Sequence, residues 1–109
     1  MTHWEKIWSF CTPNITISCD VAPEEESPHG AFDDDGEAER MIENGELDWF
    51  MVRVRVLKCG VELSVDYLGG CAYRNATDFV SGENRDGYFR DMVREAIADA
   101  RKKLVQLAA

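Results

Sequence analysis

The stretch Trp49-Phe50-Met51-Val52-Arg53-Val54-Arg55-Val56-Leu57-Lys58-Cys59-Gly60-Val61-Glu62-Leu63-Ser64-Val65-Asp66-Tyr67 decides the fold. Phe50, Val52, Val54 and Val56 alternate with Trp49, Met51, Arg53, Arg55 and Leu57, which is the period of a strand with two unlike faces. After Cys59-Gly60 the alternation resumes, with Val61, Leu63, Val65 and Tyr67 against Glu62, Ser64 and Asp66. Two alternating runs around a two-residue turn predict a β-hairpin, strands 47–58 and 61–67. Gly69-Gly70 is read as its end.

Upstream, Ile15, Ile17, Cys19 and Val21 alternate with Thr16, Ser18 and Asp20, predicting a strand over 14–21. A partner over 4–11 carries Trp4, Ile7, Trp8 and Phe10, apolar on both faces. Thr12-Pro13-Asn14 supplies the turn between them. Downstream, Phe89, Met92, Val93, Ala96, Ile97, Ala100, Leu104 and Leu107 recur at three- and four-residue steps. That stripe predicts a long helix over 86–107, with Asp86 as N-cap and Arg101-Lys102-Lys103 near its negative end. Residues 37–44 predict a short helix with Ala38, Met41 and Ile42 on one side, stopped by Gly45. Asn75 or Thr77 is expected to cap a helical turn near 75–80. The order β-β-α-β-β-α predicts one two-layer α+β domain over 1–109. Its four-stranded, mostly antiparallel sheet of two hairpins lies under the long helix.

Charge is distributed unevenly. Residues 20–48 hold twelve acids and one base, −11, whereas the rest of the chain is +2 and the whole is −9. A block of like charge gains little from burial, so it is expected as a solvated face or as a contact for something positive. No run of about 18 apolar residues exists to span a membrane. Met1 to Lys6 lacks the basic and apolar regions of a secretory signal, so a cytoplasmic protein with reduced thiols is expected. A Cys11–Cys19 bridge across the first hairpin is the one disulfide considered, and the compartment argues against it. Without secretion, the Asn14-Ile15-Thr16 and Asn75-Ala76-Thr77 sequences imply no glycosylation.

No catalytic signature emerges. Aligning Asp33-Asp34-Asp35-Gly36 with a calcium loop puts Ala31 first and Ile42 twelfth, where acidic ligands are required. His3, His29, Cys11, Cys19, Cys59 and Cys71 lack the close pair spacing of a zinc site. Neither histidine has neighbours that suit a general base. No phosphate-binding or nucleophile-elbow motif is present. No cofactor, metal or enzymatic activity is expected.

Two binding features remain. Trp49, Arg53 and Arg55 share a strand face that could hold single-stranded nucleic acid, but pairing of the arginines with Glu62 or Asp66 is the favoured account, because the net charge of −9 opposes phosphate binding. The acidic segment Glu24, Glu25, Glu26, Asp33, Asp34, Asp35, Glu37, Glu39, Glu43 and Glu46 is the other. Duplex DNA carries one charge per ~1.7 Å of axis, and carboxylates on a short helix and its flanking loop approach that density. Glu39 and Glu43 lie one helical turn apart.

The motifs Asp66-Tyr67-Leu68-Gly69-Gly70-Cys71-Ala72-Tyr73, Asp78-Phe79 and Gly87-Tyr88-Phe89-Arg90-Asp91-Met92-Val93-Arg94-Glu95-Ala96-Ile97 resemble a family of small acidic proteins encoded by bacteriophages and integrated elements of proteobacteria. The resemblance covers about residues 47–101, extends weakly to the stretch Trp4 to Trp8, and transfers no catalytic role. It implies an inhibitor of host defence, of the anti-CRISPR type, acting in the bacterial cytoplasm; the acidic segment is what is expected to occupy a basic surface of a nucleic-acid-binding or CRISPR effector protein. A phage accessory protein that self-associates, as a homodimer through a sheet edge or apolar patch, is the remaining expectation.

Overall fold

The computed structural model describes residues 3–31, 36–81 and 87–108. Strand β1 is Glu5–Cys11, β2 Thr16–Pro23, β3 Asp48–Lys58 and β4 Val61–Tyr73. They form one antiparallel sheet in the order β1-β2-β3-β4, with each neighbour in space also the neighbour in sequence. Helix α1 is Glu37–Glu43 and α2 is Tyr88–Ala108; a short 3-10 helix spans Ala76–Val80. The two-layer α+β architecture expected from the patterning is the architecture found.

One sheet face carries the core. Phe50, Val52, Val54 and Val56 of β3 and Ile17, Cys19 and Val21 of β2 are buried with Phe79, Phe89, Met92, Ala96 and Ala100. Phe79 and Phe89 meet at 6.2 Å, and Trp8 stands edge-on to Phe89 at 5.0 Å, so aromatic rings close the end of the core nearest the start of α2. Ser64 Oγ–H donates to the Ala96 carbonyl at 2.6 Å, a polar tie between sheet and helix. Of the apolar stripe, Leu107 does not reach the core and is 69% exposed.

Both turns follow their sequence signals. Cys59 and Gly60 have φ of 51° and 78°, the paired positive values of a type I′ turn. The Glu46 N–H donates to the Met41 carbonyl at 2.8 Å and the Gly45 N–H to the Ile42 carbonyl at 3.1 Å. With Gly45 at φ 77° this is a Schellman termination of α1.

Bulges account for the departures. Between Lys6 and Trp8 the register shifts, so Ile7 is an extra residue. It puts Trp4 and Trp8 on opposite faces and explains why β1 shows no clean alternation. On β4, Leu63 is extra between Glu62 and Ser64. Beyond it, Ser64, Asp66 and Leu68 pair with buried β3 residues, while Val65 and Tyr67 turn to the other face. This corrects the single face expected for Val61, Leu63, Val65 and Tyr67.

Gly69-Gly70 does not end the strand. It opposes Met51 alone in a second bulge, where Gly70 at φ 67° takes the left-handed conformation, and β4 runs on to Tyr73. Asn75 holds the N-cap position of the 3-10 helix, as one of the two expected residues, but its side chain makes no capping bond; the Ala76 N–H donates instead to Asp48 Oδ2 at 2.8 Å. The last turn of α2 holds no basic residue, so Arg101–Lys103 lie too far from its end for strong dipole stabilisation. Asp86 lies outside the described residues.

Candidate partner-binding surface

The acidic loop between β2 and α1 is fastened to the sheet by its own residues. Glu24 Oε2 accepts the Gly70 N–H at 2.8 Å, and its Oε1 accepts the Glu26 N–H at 3.3 Å. The Trp49 indole N–H donates to the Glu26 carbonyl at 2.7 Å. Further along, Glu39 of α1 reaches back, its Oε1 accepting the Gly30 N–H at 3.0 Å and its Oε2 lying 3.3 Å from His29 Nδ1. The loop is thereby pinned at both described ends.

The predicted acids divide by role. Glu24 and Glu39 hold the backbone. Glu26, Glu43 and Glu46 are exposed, and among the described residues their carboxylates meet no cation. Glu25 and Glu37 are exposed as well. Glu37 and Glu46 line a shallow cleft of about 310 Å³ with Arg40, Met41 and Asn44. Asp33, Asp34 and Asp35 lie outside the described residues.

A larger open cleft, about 580 Å³, lies where the loop meets β3 and β4. Glu24, Glu26 and Ser27 line it with Trp49, Met51, Tyr67, Leu68, Gly69 and Gly70. The glycines make room for it. A Cβ on Gly69 would stand 3.1 Å from Glu24 Oε2, and one on Gly70 would stand 3.4 Å from Trp49 Cη2.

Arg53 and Arg55 do not pair with Glu62 or Asp66. Both turn the opposite way, to Asp20 on β2, where Oδ2 accepts each Nε–H, at 2.8 Å from Arg53 and 3.2 Å from Arg55. The register explains it, since Asp20 lies directly across from Arg53 on the open face, whereas Asp66 sits across from Val54 on the core face. Trp4 covers Arg53, its ring centroid 4.5 Å from the guanidinium carbon, and contacts Tyr67 at 6.1 Å. Asp20 is 2% exposed, and Ser18 beside it is buried with its hydroxyl unpaired. Sequence reading missed this cluster. The signal was present: an acid inside an alternating apolar strand is costly to bury unless a cation meets it.

The thiols are separate. Cys11 pairs across the hairpin with Thr16 and Cys19 with Trp8, so Cys11 and Cys19 are not opposed and no disulfide joins them. Burial pushes the Cys19 thiol up to about 12, helped by Asp20, and the Cys71 thiol up to about 11. At neutral pH both are protonated and poor nucleophiles.

Among the described residues no group of three or more His, Cys, Asp or Glu could hold a metal, and no helix is long and apolar enough to cross a membrane. No family model matches the chain, nor does any curated protein or solved structure.

Proposed function

We propose that this protein is a non-enzymatic binder that occupies a basic, nucleic-acid-binding surface of another protein through Glu25, Glu26, Glu37, Glu43 and Glu46 and the neighbouring Asp33–Asp35. One observation carries this reading: the acidic loop is fixed to the sheet at Gly70 and Trp49 while Glu26, Glu43 and Glu46 stay exposed and unpaired among the described residues. A pre-ordered loop loses less conformational entropy on binding than a free one, so its charge converts into affinity more efficiently. Complementary charge also steers encounter, giving fast association that slows with salt.

Inhibition follows from competition. A protein that fills a groove lined by lysine and arginine denies it to DNA or RNA; a CRISPR effector is one such target. The platform of Trp49, Arg53 and Arg55 has less in its favour as a nucleic-acid site. Both arginines face Asp20, Trp4 covers Arg53, and the Trp49 N–H is engaged by Glu26.

The test is a pull-down from nuclease-treated bacterial lysate with the parent and with a variant in which Glu26, Glu43 and Glu46 are replaced by lysine. The parent is expected to retain a nucleic-acid-binding protein that elutes at intermediate salt, and the variant to lose it. Equal retention by both refutes the reading.

A further inference from the structure

We propose that the cleft between β3, β4 and the acidic loop receives one arginine side chain of the partner, stacked against Trp49 and Tyr67 and paired with Glu24 and Glu26. This rests on the reading above and adds to it a particular contact.

The lining selects the ligand. At about 580 Å³ the cleft is within the size range of specific binding sites, and it is open at the surface, as entry of a side chain requires. Two aromatic rings, Trp49 and Tyr67, share it with the apolar Met51 and Leu68 and with two carboxylates; among the described residues no lysine or arginine lines it. Aromatic faces attract cations through their negative quadrupole, and carboxylates add direct charge. An anion would meet only repulsion there, and a neutral apolar group would leave the acids unpaired. Between the two basic side chains, arginine fits better, because its planar guanidinium both stacks on a ring and donates in a fork to a carboxylate.

The cleft is built in advance. Glu24 is held by two backbone N–H groups, Gly70 and Glu26, which fix the carboxylate without neutralising its charge. The Trp49 ring is oriented by its bond to the Glu26 carbonyl. A Cβ at Gly69 would crowd the Glu24 carboxylate, and Gly70 beside the Trp49 ring holds φ 67°, which disfavours a side chain there. The nearest basic residue along the same strand face, Arg53, is turned to Asp20.

The experiment uses the full chain, isotope-labelled, with amide and indole resonances followed by NMR. It is titrated with N-acetyl-arginine amide, with the neutral citrulline analogue and with hexa-arginine. Arginine amide is expected to shift the Trp49 indole and Gly70 amide signals, and the citrulline analogue to leave them in place. Combining Tyr67→Ala with Glu26→Gln is expected to weaken this by about tenfold, the size of one cation–π contact plus one exposed charge. Glu95→Gln, exposed on α2 and outside both the cleft and the acidic segment, is expected to change the arginine-amide response little, and the spectrum of each variant reports directly that it is folded. Equal shifts with citrulline, or hexa-arginine moving only the Glu37, Glu43 and Glu46 signals, would overturn the cleft as the site while leaving the acidic surface standing. If hexa-arginine moves no signal in the acidic segment, the broader reading fails as well.

Discussion

The indole N–H of Trp49 donates to the carbonyl of Glu26 across 2.7 Å, joining the start of β3 to a loop residue 23 positions earlier. With the Glu24–Gly70 bond, it makes the loop part of the sheet rather than a tether. Replacing Trp49 by Phe keeps a ring and removes the donor. The expected cost is about 1 kcal/mol. Hydrogen exchange should quicken in residues 24–31 and stay unchanged in β2 and α2.

Asp20 compensates two guanidiniums from a site that is 2% exposed. Asp20→Ala removes the carboxylate that both guanidiniums face and should cost about 3 kcal/mol in urea denaturation. Adding Arg53→Met and Arg55→Met to Asp20→Val should recover most of that loss, because apolar side chains then fill the same space without charges to desolvate.

Cys59 holds φ 51° ahead of Gly60, a conformation that costs a side chain energy and that asparagine tolerates better. Cys59→Asn should raise stability by about 0.5 kcal/mol, read as a higher thermal midpoint. It also removes one of the two exposed thiols.

Native protein treated with a thiol reagent at neutral pH should release two equivalents quickly, from the exposed Cys11 and Cys59, and the other two only on unfolding. The same burial sets an alkaline limit. Cys19 stays protonated in the fold up to about 12, against an ordinary value of 9.0. Below pH 9 the thiol is neutral in both states, so its contribution to stability is complete. As pH rises from 9 towards 12 the unfolded chain loses the proton first and that contribution falls away. Cys19→Ala should flatten the alkaline slope of stability across that window.

Alternation was enough to read the second hairpin and the helix stripe, since a strand with one buried face or a helix with one apolar side displays its period in the sequence. Gly45 and Cys59-Gly60 were legible because their backbone conformations demand those positions. The three bulges were not. Ile7, Leu63 and the Gly69-Gly70 pair each shift the register by one residue, which reverses the face of everything beyond, and only the pairing partner reveals it. The acidic segment was plain as composition, but the division of labour within it was hidden. Glu24 and Glu39 hold the loop through bonds to Gly70 and Gly30, contacts that depend on tertiary structure. The orientation of Arg53 and Arg55 depended on register as well as strand order: β3 lies between β2 and β4, and β2 sets Asp20 across from Arg53, whereas β4 sets Tyr67 and Val65 across from the two arginines.

The most direct measurement is competition for the captured partner. A labelled DNA or RNA bound to that partner is titrated with this protein, and release is followed by fluorescence anisotropy at two salt concentrations. Full displacement at one equivalent is expected, weaker at the higher salt and lost in the Glu26, Glu43 and Glu46 lysine variant. Formation of a ternary complex with the nucleic acid still bound would contradict the account.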